Sequence, residues 1–208
     1  MNFTIILIVI LVAVIVYLLW QASRKNKAAP AQQEEKLSVE NAGVGAVMSI
    51  RGVGPQYEDI DVIVAAKHVY REGSYSWYEL VCEAGGDKYW LEIENDDDLE
   101  ISITLNKLKL NDLNITPEDL ARLDEEESGE ITYKDTLYRY EDSGSARYLK
   151  NGDEHQAQEF YYWDFESDDG KHFIGVEQWD DDSYEASYSE ALSPSEITVY
   201  SLRGEHKD

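Results

Sequence analysis

The stretch WYELVCEAGGDKYWLEIE, Trp77 to Glu94, determines most of what the sequence says about the fold. Side chains alternate on both sides of Gly85 and Gly86, which is the pattern of a β-hairpin with a two-residue loop. This loop pairs Leu80 with Leu91 and leaves one face wholly apolar. That face, expected to be core, carries Tyr78, Leu80, Cys82, Tyr89, Leu91 and Ile93. The opposite face carries Trp77, Glu79, Val81, Trp90, Glu92 and Glu94.

The opposite face places Glu79 directly across from Glu92. Two carboxylates that face each other in this way cost free energy unless a cation or a hydrogen-bond donor binds to them. The pair is therefore a feature that the fold or a ligand must explain.

A second hairpin of the same construction runs through residues 160–167, the loop 168–170 and residues 171–179. Its predicted inward residues are Tyr161, Trp163, Phe165, His172, Ile174 and Val176, and its outward residues are Phe160, Tyr162, Asp164, Phe173 and Glu177. A shift of 83 residues aligns the two hairpins without a gap. We therefore expect two similar β lobes from an internal duplication, at residues 43–125 and 126–208. The alternative is that two aromatic hairpins are alike only in composition.

The remaining body shows the same short runs of β-branched and aromatic residues, separated by Gly, Asp and Asn. This predicts an all-β, mainly antiparallel fold. One short connecting helix is expected at residues 117–126, because Thr116 is suited to the N-cap and Pro117 to the first helical position.

The N-terminus reads as a membrane anchor over residues 1–20, followed by a juxtamembrane linker over residues 21–42. Phe3 to Trp20 contains eighteen residues without a charge, long enough for roughly 27 Å of helix. The basic residues follow this segment, which places the C-terminal domain on the cytoplasmic side of a single-pass membrane protein. The lipid bilayer is then one partner. A cleaved signal peptide is the alternative, but its basic residues should precede the apolar run.

The acidic composition excludes several classes of function. The chain has 18 Lys and Arg against 43 Asp and Glu, a net charge of −25, so nucleic acid is not an expected partner. Because residues 1–33 contribute +3, residues 34–208 carry −28. The single cysteine, Cys82, excludes an internal disulfide framework and a zinc site built on several thiolates.

Residue patterns typical of catalysis are missing. The four histidines lack the spacing of metal-binding motifs, and the chain contains neither a nucleophile-elbow sequence nor a Walker lysine. Cys82 and His172 are expected to be buried structural residues. We therefore predict no catalytic residue, no metal site and no cofactor. Four acidic clusters, at 96–98, 124–127, 164–169 and 180–182, are interpreted as solvated turns, with a diffuse cation site as the alternative.

Several short aromatic motifs resemble a known family. Tyr57-Glu-Asp-Ile-Asp-Val, Ser76-Trp-Tyr-Glu-Leu, Tyr89-Trp-Leu-Glu-Ile-Glu, Ile174-Gly-Val-Glu-Gln-Trp and Ser193-Pro-Ser-Glu-Ile-Thr-Val are similar to the bacterial family called domain of unknown function 4178. The resemblance covers most of residues 43–202. It implies an all-β bacterial domain, often encoded beside membrane-associated stress proteins and polyamine-synthesising enzymes, and it supplies no activity.

The function predicted from these observations is a membrane-anchored, cytoplasmic, non-enzymatic binding or adaptor protein with a protein partner. The resemblance further implies a location at the inner membrane of a bacterium and a role in envelope stress or membrane maintenance. The candidate binding residues are Trp77, Glu79, Trp90, Glu92, Phe160 and Phe173, because aromatic anchors supply most interface energy. The same aromatic residues could instead pack between the two lobes. The alternative function is the binding or sensing of polyamines or divalent cations, and an enzyme is the weakest hypothesis.

Overall fold

Antiparallel strands make up most of the residues that the computed structural model describes, which are 35–96, 98–180 and 182–204. Within these residues the strands are β1 (Val47–Val53), β2 (Glu58–Glu72), β3 (Tyr75–Ala84), β4 (Asp87–Asn95), β5 (Leu99–Leu108), β6 (Glu130–Tyr133), β7 (Thr136–Leu149), β8 (Ala157–Ser167), β9 (His172–Trp179), β10 (Tyr184–Ala191) and β11 (Ile197–Ser201). The helices are α1 (Leu110–Leu113) and α2 (Pro117–Glu126), and 3-10 turns lie at Val39–Asn41, Lys150–Gly152, Glu154–Gln156 and Pro194–Glu196.

Both predicted hairpins form, the first in the predicted register and the second with the predicted side-chain parity. In β3–β4, Leu80 pairs with Leu91. Gly85 and Gly86 have φ values of 61° and 101°, which only glycine adopts without strain. In β8–β9, Trp163 pairs with Val176. In each hairpin, most of the apolar residues predicted to share a face therefore pack together in one core.

Helix α2 also has the predicted bounds. Thr116 Oγ1 accepts a hydrogen bond from the backbone N–H of Asp119 at 3.2 Å, and the Asp119 carboxylate accepts one from the backbone N–H of Thr116 at 3.0 Å. This reciprocal pair is a capping box with Asp in the third position. The sequence did not predict the second helix, α1, which spans four residues.

Eight of the strands close into a ring. The sheet order is β11-β1-β2-β3-β4-β5-β10-β9-β8-β7-β6, and β2 pairs additionally with β7 through Val69 to Arg71. The strands from β2 to β5 and from β10 back to β7 thus return to their starting point. The first part of β2 continues into β1 and β11, and the first part of β7 pairs with β6.

Two apolar cores use the faces of the ring strands that point away from its interior. The first core combines β3, β4 and β5 with β1, the first part of β2 and Leu192, and includes Leu80, Cys82, Leu91, Ile93, Met48, Ile50, Val62 and Val64. The second combines β8, β9 and β10 with α1, α2 and β6, and includes Trp163, Phe165, Ile174, Val176, Leu120, Leu123 and Ile131. Each core therefore covers one side of the ring.

The two halves of the chain have the same strand order. A shift of 83 residues carries β1 to β5 onto residues 130–136, 141–155, 158–167, 170–178 and 182–191, and each range overlaps the corresponding strand from β6 to β10. The halves are joined by the β5–β10 and β2–β7 pairs into one continuous sheet. The cores also cross the predicted boundary at residue 125, since Leu192 lies in the first core and Leu120 in the second. Val39 and Ala42, assigned to the linker, are buried in the first core.

The predicted fold class requires a correction. It placed a transmembrane helix before the all-β body, but no helix in the described residues is long and apolar enough to cross a membrane. The longer helix, α2, has ten residues, about 15 Å against the ~30 Å hydrocarbon core. The all-β part is confirmed. Residues 3–20, with the membrane location and bilayer contact predicted from them, lie outside the described residues.

Candidate functional site

A cavity of about 580 Å³ lies inside the ring of strands. Its lining comes from all eight ring strands, so the ring bounds the cavity. The cavity is open to solvent, because Lys107, Glu159 and Glu185 of its lining are exposed. The lining residues are His68, Tyr70, Glu79, Trp90, Lys107, Tyr148, Gln158, Glu159, Glu177, Trp179, Asp180, Ser183 and Glu185. Among these described residues, five are carboxylates and one is a lysine. The interior of the ring is thus acidic and aromatic, whereas the two cores outside it are apolar.

The binding residues predicted from the sequence all lie on the inner side of the ring. Glu79 and Trp90 line the cavity, and Glu92 pairs in register with Glu79. Trp77 and Phe160 pack in an aromatic cluster that also contains Tyr70, Ala146, Tyr148, Tyr162 and Trp179. Phe173 pairs with Ser189 of β10 and Glu166 of β8. The face interpreted as outward is turned inward, because ring closure encloses the face opposite to each core.

The aromatic cluster fills the ring where β2 meets β7. Tyr70 stacks on Trp77 with ring centroids 5.4 Å apart, and Phe160 stacks on Trp179 at 5.1 Å. Tyr70 also contacts Phe160 edge-on at 5.7 Å, which connects the two halves of the chain. Such pairs add to the free energy gained by burying the rings. Phe160 thus packs between the two halves, which is the alternative that the sequence left open for these aromatic residues, and Trp77 belongs to the same cluster.

Carboxylates face one another across several inner strand pairs. Glu79 lies opposite Glu92, and Glu177 lies opposite Glu185. Burial, with further repulsion from Glu79 and Glu185, raises the pKa of Glu177 to about 7, while Lys107 acts in the opposite direction. Burial likewise raises the pKa of Glu79, again opposed by Lys107.

The pKa of Glu92 lies well above its ordinary value, through burial and then through the charges of Glu94 and Asp164. Burial also raises the pKa of Asp164 to about 7, with repulsion from Glu94 and Glu177. The Asp164 side chain is exposed. It lies on the face of β8 opposite to Trp163 and Phe165 of the second core, which is the face toward the space inside the ring. These like charges therefore interact across the ring and not only along one strand pair.

Tyrosine hydroxyls satisfy some of the inner carboxylates. Tyr75 donates to Glu94 at 2.9 Å, and Tyr162 donates to Glu72 at 2.8 Å. These bonds stabilise the charged form of a carboxylate. Among the described residues, no tyrosine hydroxyl donates a hydrogen bond to Glu92 or Glu177. The charged forms of these two carboxylates are therefore stabilised less.

Lys107 is the cationic side chain of the cavity. Its Nζ lies 5.1 Å from the centroid of the Trp90 ring, within range of a cation–π interaction. It comes from β5, opposite Ser187 of β10, and its side chain is exposed. Its charge lowers the pKa of both Glu79 and Glu177, although burial raises each of them by more.

Sequence reasoning missed Lys107, Tyr70 and Trp179 as site residues. The signal for Glu177 was present, because it lies on the same predicted face as Phe160 and Phe173 and aligns with Glu94 under the 83-residue shift. The alternation in the sequence could not assign Lys107 to this face. The register between β5 and β10 shifts between Tyr188 and Ser189, so the alternation of β5 changes before it reaches Lys107.

Of the other residues singled out in the sequence, Asp180 from the acidic cluster at 180–182 lines the cavity, whereas Cys82 and His172 do not. Cys82 is buried, and burial raises the pKa of its thiol to about 12. His172 stacks on Tyr188 at 5.7 Å. The acidic cluster at 164–169 is divided: Asp164 faces the ring interior, whereas Asp168 accepts a hydrogen bond from Arg139 at 2.6 Å and Asp169 accepts one from Ser167 at 2.8 Å.

Comparison with known proteins identifies the chain at the level of a family model. The model described as "Domain of unknown function (DUF4178)" matches residues 55–194, which is more than half of the chain. These residues include every strand of the ring. No curated protein and no solved structure matches the chain.

Proposed function

The chain belongs to the DUF4178 family, and we propose that it is a non-enzymatic binding domain that takes up an organic cation inside its ring of strands. The observation that carries this proposal is the excess of negative charge in a cavity bounded by the ring, with five carboxylates and one lysine among its described lining residues. Like charges held close together are costly, and a protein gains free energy when a ligand of opposite charge binds between them.

The aromatic lining favours an organic cation over a bare metal ion. Tyr70, Trp90, Tyr148 and Trp179 all line the cavity, and the faces of tyrosine and tryptophan attract ammonium groups through their quadrupoles. No group of three or more His, Cys, Asp and Glu in the described residues has an arrangement suited to a metal ion. The chemistry of the lining therefore corresponds to the polyamine part of the alternative function and not to divalent cations.

The position of the predicted binding residues also favours a small ligand over a protein partner. Glu79 and Trp90 lie inside the ring and not on its outer surface, so a small ligand has better access to them than a folded partner has. A cavity of about 580 Å³ is within the size range of small-molecule pockets. An adaptor function would need another surface.

Isothermal titration calorimetry of the full-length protein, kept in detergent because of its apolar residues 3–20, tests the proposal with spermidine at 0.15 M salt. We expect saturable binding, since interactions inside the ring are screened less than those at the surface. Glu79→Gln and Glu177→Gln should each weaken it by roughly tenfold to a hundredfold, the effect of losing a hydrogen bond to a charged group. Glu118→Gln removes the same charge from the exposed surface of α2 and should change the affinity by less than about twofold.

Two results would refute the proposal. Heats that vanish at 0.15 M salt would show only screening by the ion atmosphere of an acidic body. Equal weakening by Glu79→Gln and Glu118→Gln would place the bound cation outside the ring.

A further inference from the structure

Lys107 occupies the kind of environment that the proposed ligand requires. Its ammonium lies over the face of Trp90 at 5.1 Å from the ring centroid. Glu79 of β3 and Glu177 of β9 both interact with this ammonium electrostatically. A primary ammonium that the chain itself supplies thus lies over an aromatic face, within electrostatic range of two carboxylates from different strands.

This ammonium is held loosely. Between the described residues, Nζ of Lys107 has no carboxylate oxygen within 4.0 Å, and the side chain is exposed. Lys67 provides a contrast, because its Nζ donates to the backbone carbonyl of Ala42 at 3.1 Å and also lies over the Tyr78 ring at 4.3 Å. The flexible stem of Lys107 can therefore leave the cavity without breaking a direct ion pair.

Lys107 offsets only part of the negative charge of the cavity, which also favours a ligand with several ammonium groups. One positive charge is shared between several carboxylates, and the pKa values of Glu79 and Glu177 remain raised despite it. A ligand with more than one ammonium group can neutralise more of the lining than the single lysine does.

We infer, building on the proposed function, that the cavity takes a primary alkylamine and that Lys107 is its built-in competitor, which leaves the Trp90 face when the amine binds. A primary ammonium has three N–H donors for the carboxylates, as the lysine side chain has. A quaternary ammonium has none, so it can use the aromatic face but not the hydrogen-bond acceptors.

The test measures binding of 1,4-diaminobutane and tetramethylammonium to the full-length protein at 0.15 M salt. Lys107→Gln should bind 1,4-diaminobutane about tenfold more tightly than the wild type, because the competing ammonium is gone. The wild type should prefer 1,4-diaminobutane to tetramethylammonium.

Lys134→Gln is the matched control. Lys134 also places its ammonium over aromatic rings, 5.0 Å from Tyr133 and 5.2 Å from Tyr188, but it lies in the turn between β6 and β7. Lys134→Gln removes the same charge as Lys107→Gln. If Lys107 acts through the cavity, Lys134→Gln should change the affinity for 1,4-diaminobutane by less than about twofold.

One outcome would overturn the role of Lys107 and leave the proposed function standing. In it, the wild type binds the amine and Glu79→Gln binds it less well, but a folded Lys107→Gln binds it no more tightly than the wild type. Absence of amine binding by both the wild type and Lys107→Gln would refute the proposed function itself. If Lys107→Gln does not fold, the wild type provides a second measurement. The NMR signal of the Lys107 ε-methylene must lose its ring-current shift on saturation with 1,4-diaminobutane, and a signal that stays in place would contradict the inference.

Discussion

Replacing Glu177 by glutamine should stabilise the protein at pH 8 and leave its stability almost unchanged at pH 4. Glu177 lies inside the ring, where burial, with repulsion from Glu79 and Glu185, raises its pKa to about 7. Glutamine has nearly the same shape as the protonated side chain but never acquires the charge. The variant therefore removes the cost of ionising this group in the folded protein.

The sign and size of the effect follow from proton linkage. The pKa of Glu177 rises from 4.5 in the unfolded chain to about 7 in the folded protein. The stability that the group contributes is therefore fully present below pH 4.5 and is lost as the pH rises through 7. At about 1.4 kcal/mol for each pKa unit, the loss is about 3 kcal/mol. This is an upper bound, because water in the cavity screens part of the charge.

Thermal unfolding followed by circular dichroism at pH 4, 6 and 8 measures the effect. For a body of this size, about 3 kcal/mol corresponds to an increase in Tm of roughly 6–12 °C for Glu177→Gln at pH 8. Glu118→Gln, on the exposed surface of α2, is the control, and its Tm should equal that of the wild type at every pH. Equal Tm values for Glu177→Gln and the wild type at pH 8, or the same gain at pH 4 as at pH 8, would refute the reasoning.

Two further substitutions test the inner wall and the one predicted helix. Gly144→Ala should destabilise the protein by about 1 kcal/mol in urea titrations, because its Cβ would lie 2.8 Å from Glu72 Oε1 and 3.0 Å from the Tyr162 hydroxyl, and the flexible Glu72 side chain can move aside only by losing its hydrogen bond from Tyr162; an unchanged midpoint would contradict this. Thr116→Ala should cost about 1 kcal/mol through loss of the cap to Asp119, whereas Thr116→Ser should retain most of the stability, and equal losses for the two variants would exclude the cap as the cause.

The acidic interior costs the protein stability. Glu79 and Glu92 face each other across one strand pair, and replacing such a pair with apolar residues would be favourable on stability grounds alone. Proteins retain unfavourable groups of this kind mostly at functional sites. The variant expected to be most stable, Glu177→Gln, is thus also expected to bind the cation less well.

Local patterns in the sequence determined the hairpins and the helix. The alternation around Gly85 and Gly86 established both the register of β3–β4 and the separation of an apolar face from an acidic and aromatic one. The signals at Thr116 and Pro117 established the bounds of α2. These features depend on residues close in the chain, whose geometry limits the possible pairings.

The tertiary structure alone decided where the acidic and aromatic faces point. The pairing of Val69 to Arg71 with Arg147 to Leu149 closes the ring, and the bulge beside Ser189 brings Lys107 to the cavity. Strand pairs between residues so far apart in the chain leave no periodic signal, since alternation distinguishes the two faces of a strand but not the inside of a ring from its outside. The sequence therefore determined which residues share a face, and only ring closure made one of those faces the lining of a cavity.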